Sequence, residues 1–287
     1  NYIGTVKIPT GIAGPLIING DHAKGTFYAP FATTEGALLS SITRGSNAIT
    51  AAGGVKAKFI YQKMIRGPLF EFASLDDAFK LIKYLDENLD LLRTIVHQVT
   101  NHGELISINH HLTGKDVHVR FEFTTGDASG QNMTTAATDK ICKHLLSIAS
   151  NQEFPIQRYY IEGGFGGDKR TSYGNLLNGR GIKVIAEANI PEKVLKRYLK
   201  TSGESLCKFI QHVKNSSIIN GSYGANINTS NVIAAIFAAT GQDLGCVQES
   251  SVSLLNIELT PDGVYISIEL PSLIIGTVGG GTGLPSQ

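Results

Sequence analysis

Cysteine is scarce: Cys142, Cys207 and Cys246 are scattered singly through 287 residues. Such spacing excludes a disulfide framework and any paired zinc ligands, and it predicts a reducing, cytoplasmic setting. A surplus of charge is missing too, since the net charge is +1. Nothing therefore marks a surface for nucleic acid or for an anionic membrane. No apolar run approaches the ~20 residues of a membrane span, and no signal-peptide pattern is visible. Repeats and low-complexity tracts are also lacking. The chain begins at Asn1 rather than methionine and stops at Gln287 just after a glycine-rich stretch. We expect a piece of a longer protein; an unseen N-terminal anchor would leave this part facing the cytosol.

Hydrophobic residues at 42% and charged residues at 17% fit a soluble globular chain with a sizeable core. The length allows two modest domains or one large one. Glycine is the one excess, with 32 residues concentrated at Gly53–Gly54, Gly163–Gly167 and Gly276–Gly283. There the backbone turns sharply or lets a ligand approach.

The middle of the chain has a readable order. "PLFEFA" alternates like a strand, and Ser74 with Asp77 resembles a capping box. Phe79, Ile82, Leu85, Leu89, Leu92 and Val96 follow at spacings of three and four, which predicts one long helix. "LISINHHL" and "VHVRFEFT" read as a hairpin joined by "TGKD", with Val117, Val119, Phe121 and Phe123 on the covered face. A second helix is predicted from about Ala128 to Ser150, and "PIQRYYIE" closes as a strand. The order β-α-β-β-α-β predicts a small ferredoxin-like domain at 67–162. It interrupts a large mixed α/β domain at 1–66 and 163–287, which gives an α+β chain. In the large domain "IKVIAEANI" reads as a strand ended by Pro191, and "PEKVLKRYLKT" as a helix. "NVIAAIFAATG" is a helix capped by Gly241, and "SVSLLNIEL" and "GVYISIEL" form a hairpin around "TPDG".

"FATTEGALLSSITRG" places a single carboxylate, Glu35, between a threonine pair and a small-residue run. One reading is structural: Thr33 or Thr34 caps a helix over Gly36–Thr43, with Glu35 in its first turn where the dipole favours negative charge. The other is chemical, and it depends on four further stretches. These are "RGP" at Arg66, "GDASGQNM" at Gly126, "GGDKR" at Gly166 and "GQD" at Gly241. In this order and at these intervals they resemble hydroxymethylglutaryl-CoA reductase, closer to its class I enzymes than to class II. The opening "NYIGTVKIPTGIAGPL" and the closing "PSLIIGTVGGGTGLP" resemble the same family.

The resemblance implies reduction of a thioester to mevalonate by two hydride transfers from a nicotinamide cofactor, with release of coenzyme A. NADPH is the expected cofactor, with NADH as the alternative. Carried over by position, Glu35 is a proton donor, Lys169 binds the oxyanion, and Asp243 tunes both. The chemistry asks for these types. Hydride attack puts negative charge on the carbonyl oxygen, which an ammonium stabilises where water is excluded. Reduction of the aldehyde then needs an acid, and a neighbouring carboxylate raises the proton affinity of such a group.

For the substrate, the resemblance implies Ser41 and Arg44 at coenzyme A and Arg66 at the terminal carboxylate. Asp168 and Arg170 flank the lysine, Asn231 lies near it, and Lys214 matches a second substrate lysine. Asp127, Ala128, Ser129, Gly130, Gln131 and Asn132 fall in the cofactor stretch, where a helix start admits phosphate or ribose. No metal is implied. A homodimer or higher homo-oligomer is expected, with "NYIG" resembling the dimer motif and Lys169 and Glu35 meeting across subunits. No partner beyond the acyl-CoA is expected.

Departures are present as well. Glu162 replaces a substrate-binding serine, and Asn228 replaces a histidine. Thr100 and Asn101 stand where class I has Ser-Arg for the cofactor 2′-phosphate, leaving His97, His102 or Arg93 to compensate. The family's catalytic histidine falls beyond Gln287, and none of the eight histidines here matches it. Two alternatives stay open: a reductase of another acyl-CoA, and a non-catalytic binder of coenzyme A esters.

Overall fold

The computed structural model describes residues 3–151 and 154–284. The chain divides into two units: one of residues 1–61, 171–274 and 280–287, the other of residues 62–170 and 275–279. The second is wider than the expected 67–162. Residues 163–170 pack within it, because Gly163 N–H donates to Gly67 O at 2.7 Å. Residues 275–279 are tied to it because Thr277 N–H donates to Asp127 O at 2.7 Å.

In the first unit, β1 (Thr10–Asn19) and β2 (Lys24–Ala32) pair antiparallel. Helix α1 (Gly36–Ala51) runs two turns beyond the predicted Gly36–Thr43. Leu38 buries its first half, and the extension is buried through small residues, Ser46 and Ala48, which a search for large apolar positions passes over. Strand β3 (Lys56–Arg66) begins in this unit and continues into the second.

The second unit continues with β4 (Leu69–Phe72), α2 (Leu75–Glu87), α3 (Leu89–His97), β5 (Leu105–Thr113), β6 (Asp116–Phe123), α4 (Gln131–Ile148) and β7 (Ile156–Tyr160). Its strands lie in the order β7-β4-β6-β5 with every pairing antiparallel. The apolar face read in the sequence is observed: Val117, Val119, Phe121 and Phe123 are at most 1% exposed and join Leu81, Leu85 and Ile141 in one core. The expectation of a strand covered on one face is corrected, because Arg120 and Glu122, paired on the other face, are buried as well. Ser74 accepts from Asp77 N–H at 3.2 Å and opens α2 as predicted. The single long helix is corrected to two. Asn88 stops α2 by donating from its side chain to Tyr84 O at 2.8 Å, a local bond that competes with the helical ladder. A second correction falls on α4, which starts at Gln131 and not at Ala128. Gly130 before it has φ 76 in the left-handed region, and a β-carbon there would stand 2.2 Å from Thr125 Cγ2.

The first unit resumes with α5 (Tyr173–Asn178), β8 (Gly181–Pro191), α6 (Glu192–Val194), α7 (Gly203–Ile219), α8 (Thr229–Thr240), α9 (Val247–Ser250), β9 (Leu254–Thr260) and β10 (Gly263–Leu273). Strands β9 and β10 form the predicted hairpin, and β8 pairs antiparallel with β10. "PEKVLKRYLKT" is helical as predicted, but it is an α-helix only as far as Val194. A π turn over Leu195–Leu199 follows, closed by Lys200 at φ 57.

Ala188, Ile190, Leu195, Ile210, Ile257 and Val264 form one core cluster, and Ala13, Phe31, Leu38 and Ala235 form another. Arg180 and Glu249 are fully buried and paired, Nη1 to Oε1 at 2.5 Å. The cysteines are reduced thiols. Burial, aided by the charge of Asp139, pushes the Cys142 thiol up to about 12, so this side chain packs and does not act as a nucleophile. Among the described residues no helix is long and apolar enough to cross a membrane.

Candidate active site

Glu35 occupies the N-cap position of α1, one residue before the first turn where the sequence had placed it. Its side chain makes no cap bond. Instead its own N–H donates to Thr33 Oγ1 at 3.0 Å, which fixes the entry angle of the chain. The carboxylate is exposed and accepts a hydrogen bond from Asn231 Nδ2 at 3.1 Å. Asn231 lies in the first turn of α8, so two predicted residues 196 positions apart meet where two helices begin. Both helix N-termini favour negative charge there. Ser41 and Arg44 are exposed further along α1, three residues apart and therefore on one face.

Asp243 follows the left-handed cap Gly241, φ 68. It is exposed, and its Oδ1 accepts from Gly245 N–H at 2.9 Å, which opens a short 3₁₀ turn. Lys214 on α7 donates to Asn256 Oδ1 on β9 at 2.9 Å. The side chain of Asn228 makes no cap bond at the start of α8. All of these belong to the first unit.

Arg66 anchors the site of the second unit. It ends β3 and is 8% exposed. Its Nη1 donates to Glu162 Oε2 at 3.3 Å and lies 3.7 Å from Asp168 Oδ2. Its Nη2 donates to Thr135 Oγ1 at 2.5 Å. Gln131 Nε2 donates to Asp168 Oδ2, so a residue expected at the cofactor binds one expected at the substrate. Lys169 follows with its side chain exposed and its backbone at φ 53. A non-glycine residue held in that region costs roughly 1–3 kcal/mol and persists only where the surroundings impose it. Arg170 is exposed beside Gly164.

Asp127 is exposed in the turn before α4, correcting the expectation that it starts that helix. Ala128 bridges Val278, and Gly276 packs so closely on Ser129 that a β-carbon would lie 2.5 Å from its nitrogen. Gly130 gives α4 no side-chain cap, and Asn132 is exposed in the first turn. Gly130 thus offers no side-chain acceptor to the leading N–H groups of this 18-residue helix.

Arg93 does not fit the role offered to it. Its Nε and Nη2 donate to the carbonyls of Leu105 and Ile106 at 2.9 and 3.3 Å, and Nη1 binds Asp90 at 2.8 Å. The guanidinium holds β5 to α3. Thr100 Oγ1 contacts Met133 Sδ at 3.1 Å, while His97 and His102 are exposed. Sequence reading missed Thr135, one helical turn after Gln131, whose hydroxyl accepts from Arg66. The expected dimer motif begins with Asn1 and Tyr2, which lie outside the described residues.

The sequence profile of the family described as Hydroxymethylglutaryl-coenzyme A reductase matches residues 1–287. A 3-hydroxy-3-methylglutaryl-coenzyme A reductase of Pyrococcus horikoshii is 46% identical over 292 residues, covering 100% of this chain and 69% of the relative. That of Methanocaldococcus jannaschii is 41% identical, covering 100% and 71%. Among solved structures, the class II enzyme from Streptococcus pneumoniae bound to NADPH in open conformations superposes with a TM-score of 0.75. It is 19% identical, with 99% of this chain and 76% of that one covered. At that identity the likeness speaks for the fold.

Proposed function

The chain belongs to the hydroxymethylglutaryl-coenzyme A reductase family, and from that premise we propose how its residues carry the reaction. The activity is reduction of 3-hydroxy-3-methylglutaryl-CoA to mevalonate with release of coenzyme A. NADPH, when bound, supplies the hydride for both steps. Lys169 stabilises the oxygen that becomes an oxyanion as the thioester carbonyl is reduced, and again as the aldehyde is reduced. Glu35 delivers the proton that the second reduction consumes. Asp243 is the carboxylate that balances the charge of the other two. Arg66 receives the terminal carboxylate of the acyl group, with Asp168 and Arg170 shaping that corner. Ser41 and Arg44 face coenzyme A, and Asn231 orients Glu35 through their 3.1 Å bond. Asp127 to Asn132 take the cofactor.

The observation that supports these roles is the setting of Lys169. The chain holds a lysine at φ 53 directly after Asp168, whose carboxylate is fixed by Gln131. Lys200 adopts the same conformation as a helix cap, so what supports the role of Lys169 is its place beside that fixed carboxylate. The second unit is ferredoxin-like in this reading, a proposal supported by its antiparallel β7-β4-β6-β5 order. A cytoplasmic location and a homodimer whose sites draw Lys169 and Glu35 from different subunits complete it. Mixing Glu35→Ala with Lys169→Ala chains then restores part of the activity; no recovery at any ratio rejects the shared site.

Activity is tested by oxidation of NADPH that depends on the hydroxymethylglutaryl thioester, with NADH as the comparison cofactor. Because Arg93 is committed to backbone carbonyls, no described arginine at this position remains to grip a 2′-phosphate bidentately. We expect kcat/KM to favour NADPH by less than about tenfold. Arg93→Ala should lower the melting temperature and leave that ratio unmoved. A collapse of the NADPH preference in Arg93→Ala would return the phosphate to this arginine.

A further inference from the structure

A guanidinium has five N–H donors and no acceptor, and Arg66 spends one of them on a carboxylate from its own chain. Glu162 does more than pair with it. Its Oε2 also accepts from Gly67 N–H at 3.2 Å, and its Oε1 accepts from Gly164 N–H at 2.8 Å. Gly166 packs against the same group, since a β-carbon there would lie 3.0 Å from Oε2. The carboxylate is therefore built into the loop and does not sweep solvent. Asp168 adds a second negative charge 3.7 Å from Nη1. Meanwhile the buried Nε of Arg66 has no hydrogen-bond partner among the described residues. The guanidinium thus has a donor to spare, while two carboxylates of its own chain already stand beside it.

We infer that Glu162 is a specificity-determining residue: it occupies Arg66 with a carboxylate of the chain's own, against which the acyl carboxylate of the substrate competes. The inference rests on the proposed role of Arg66 as the seat of that acyl carboxylate. Like charges brought together weaken binding, so Glu162 lowers the affinity for a thioester whose tail is anionic. A thioester with a neutral tail is spared. The ratio between the two is set at this residue.

Binding is measured calorimetrically for 3-hydroxy-3-methylglutaryl-CoA and for 3-hydroxy-3-methylbutyryl-CoA, which lacks the distal carboxylate. Glu162→Gln keeps an acceptor for Gly164 N–H and removes the charge. It should tighten the hydroxymethylglutaryl thioester by about tenfold and move the neutral one by less than about twofold. Glu162→Ser should give the same selective gain, which covers the case in which glutamine packs badly. Arg66→Gln should weaken only the anionic thioester, and Glu162→Gln should no longer help in that background. If Arg66→Gln weakens binding as expected but neither Glu162 variant tightens it, Glu162 is only a tie for the loop and the inference fails. If Arg66→Gln changes nothing, the reading of Arg66 fails and takes the inference with it.

Discussion

Lys169→Ala should lose reduction of both the thioester and the aldehyde while keeping its fold. Each half-reaction develops negative charge on the same oxygen, and loss of one oxyanion donor costs about 10²–10³ in rate. Lysine carries a full charge, so the loss is expected at the upper end of that range or beyond. The fold survives because the side chain is exposed and contributes no buried apolar area. Alanine meets the same left-handed backbone at φ 53 as lysine did, so the strain is unchanged. Turnover and circular dichroism on the same preparation separate chemistry from folding. Near-normal turnover in Lys169→Ala would remove this residue from the mechanism.

The largest effect on stability should come from Arg180→Met. Arg180 and Glu249 are both fully buried and joined at 2.5 Å, and Arg180 N–H also donates to Ser272 Oγ at 3.0 Å. Substitution strips the guanidinium from a carboxylate that has no access to water, which costs about 3–5 kcal/mol. Replacing the pair together, as Arg180→Met with Glu249→Leu, should recover much of that loss, because two charges no longer need burying. Denaturant unfolding of the single and double variants reads both values. A loss below ~1 kcal/mol in the single variant would mean that the buried pair does not hold this unit.

How much could be read in advance depended on the range of the interaction. Strand alternation and capping are local, so Val117 to Phe123 and the Ser74 cap were legible. The end of α2 was not, because Asn88 looks like any helix residue until its side chain turns back to Tyr84 O. The left-handed Gly130 was hidden in the same way: its glycine was noticed, but the clash with Thr125 that demands it was not. Motif order brought Glu35, Lys169 and Asp243 into view. It could not show that Asn231 bonds Glu35 across 196 positions, or that Gln131 holds Asp168. Arg93 teaches the converse. Its charge and position fit a phosphate, yet the carbonyls of Leu105 and Ile106 already use its donors.

The central claim is a double reduction at one site, and the balance of a complete turnover tests it most directly. The protein carrying this chain, at its full natural length, is given the hydroxymethylglutaryl thioester and excess NADPH. NADPH consumed, coenzyme A released and mevalonate formed are then counted together. The account predicts two NADPH oxidised for each coenzyme A and each mevalonate, with the same ratio when NADH replaces NADPH. One NADPH per coenzyme A with aldehyde accumulating, or no oxidation that depends on the thioester, would contradict it.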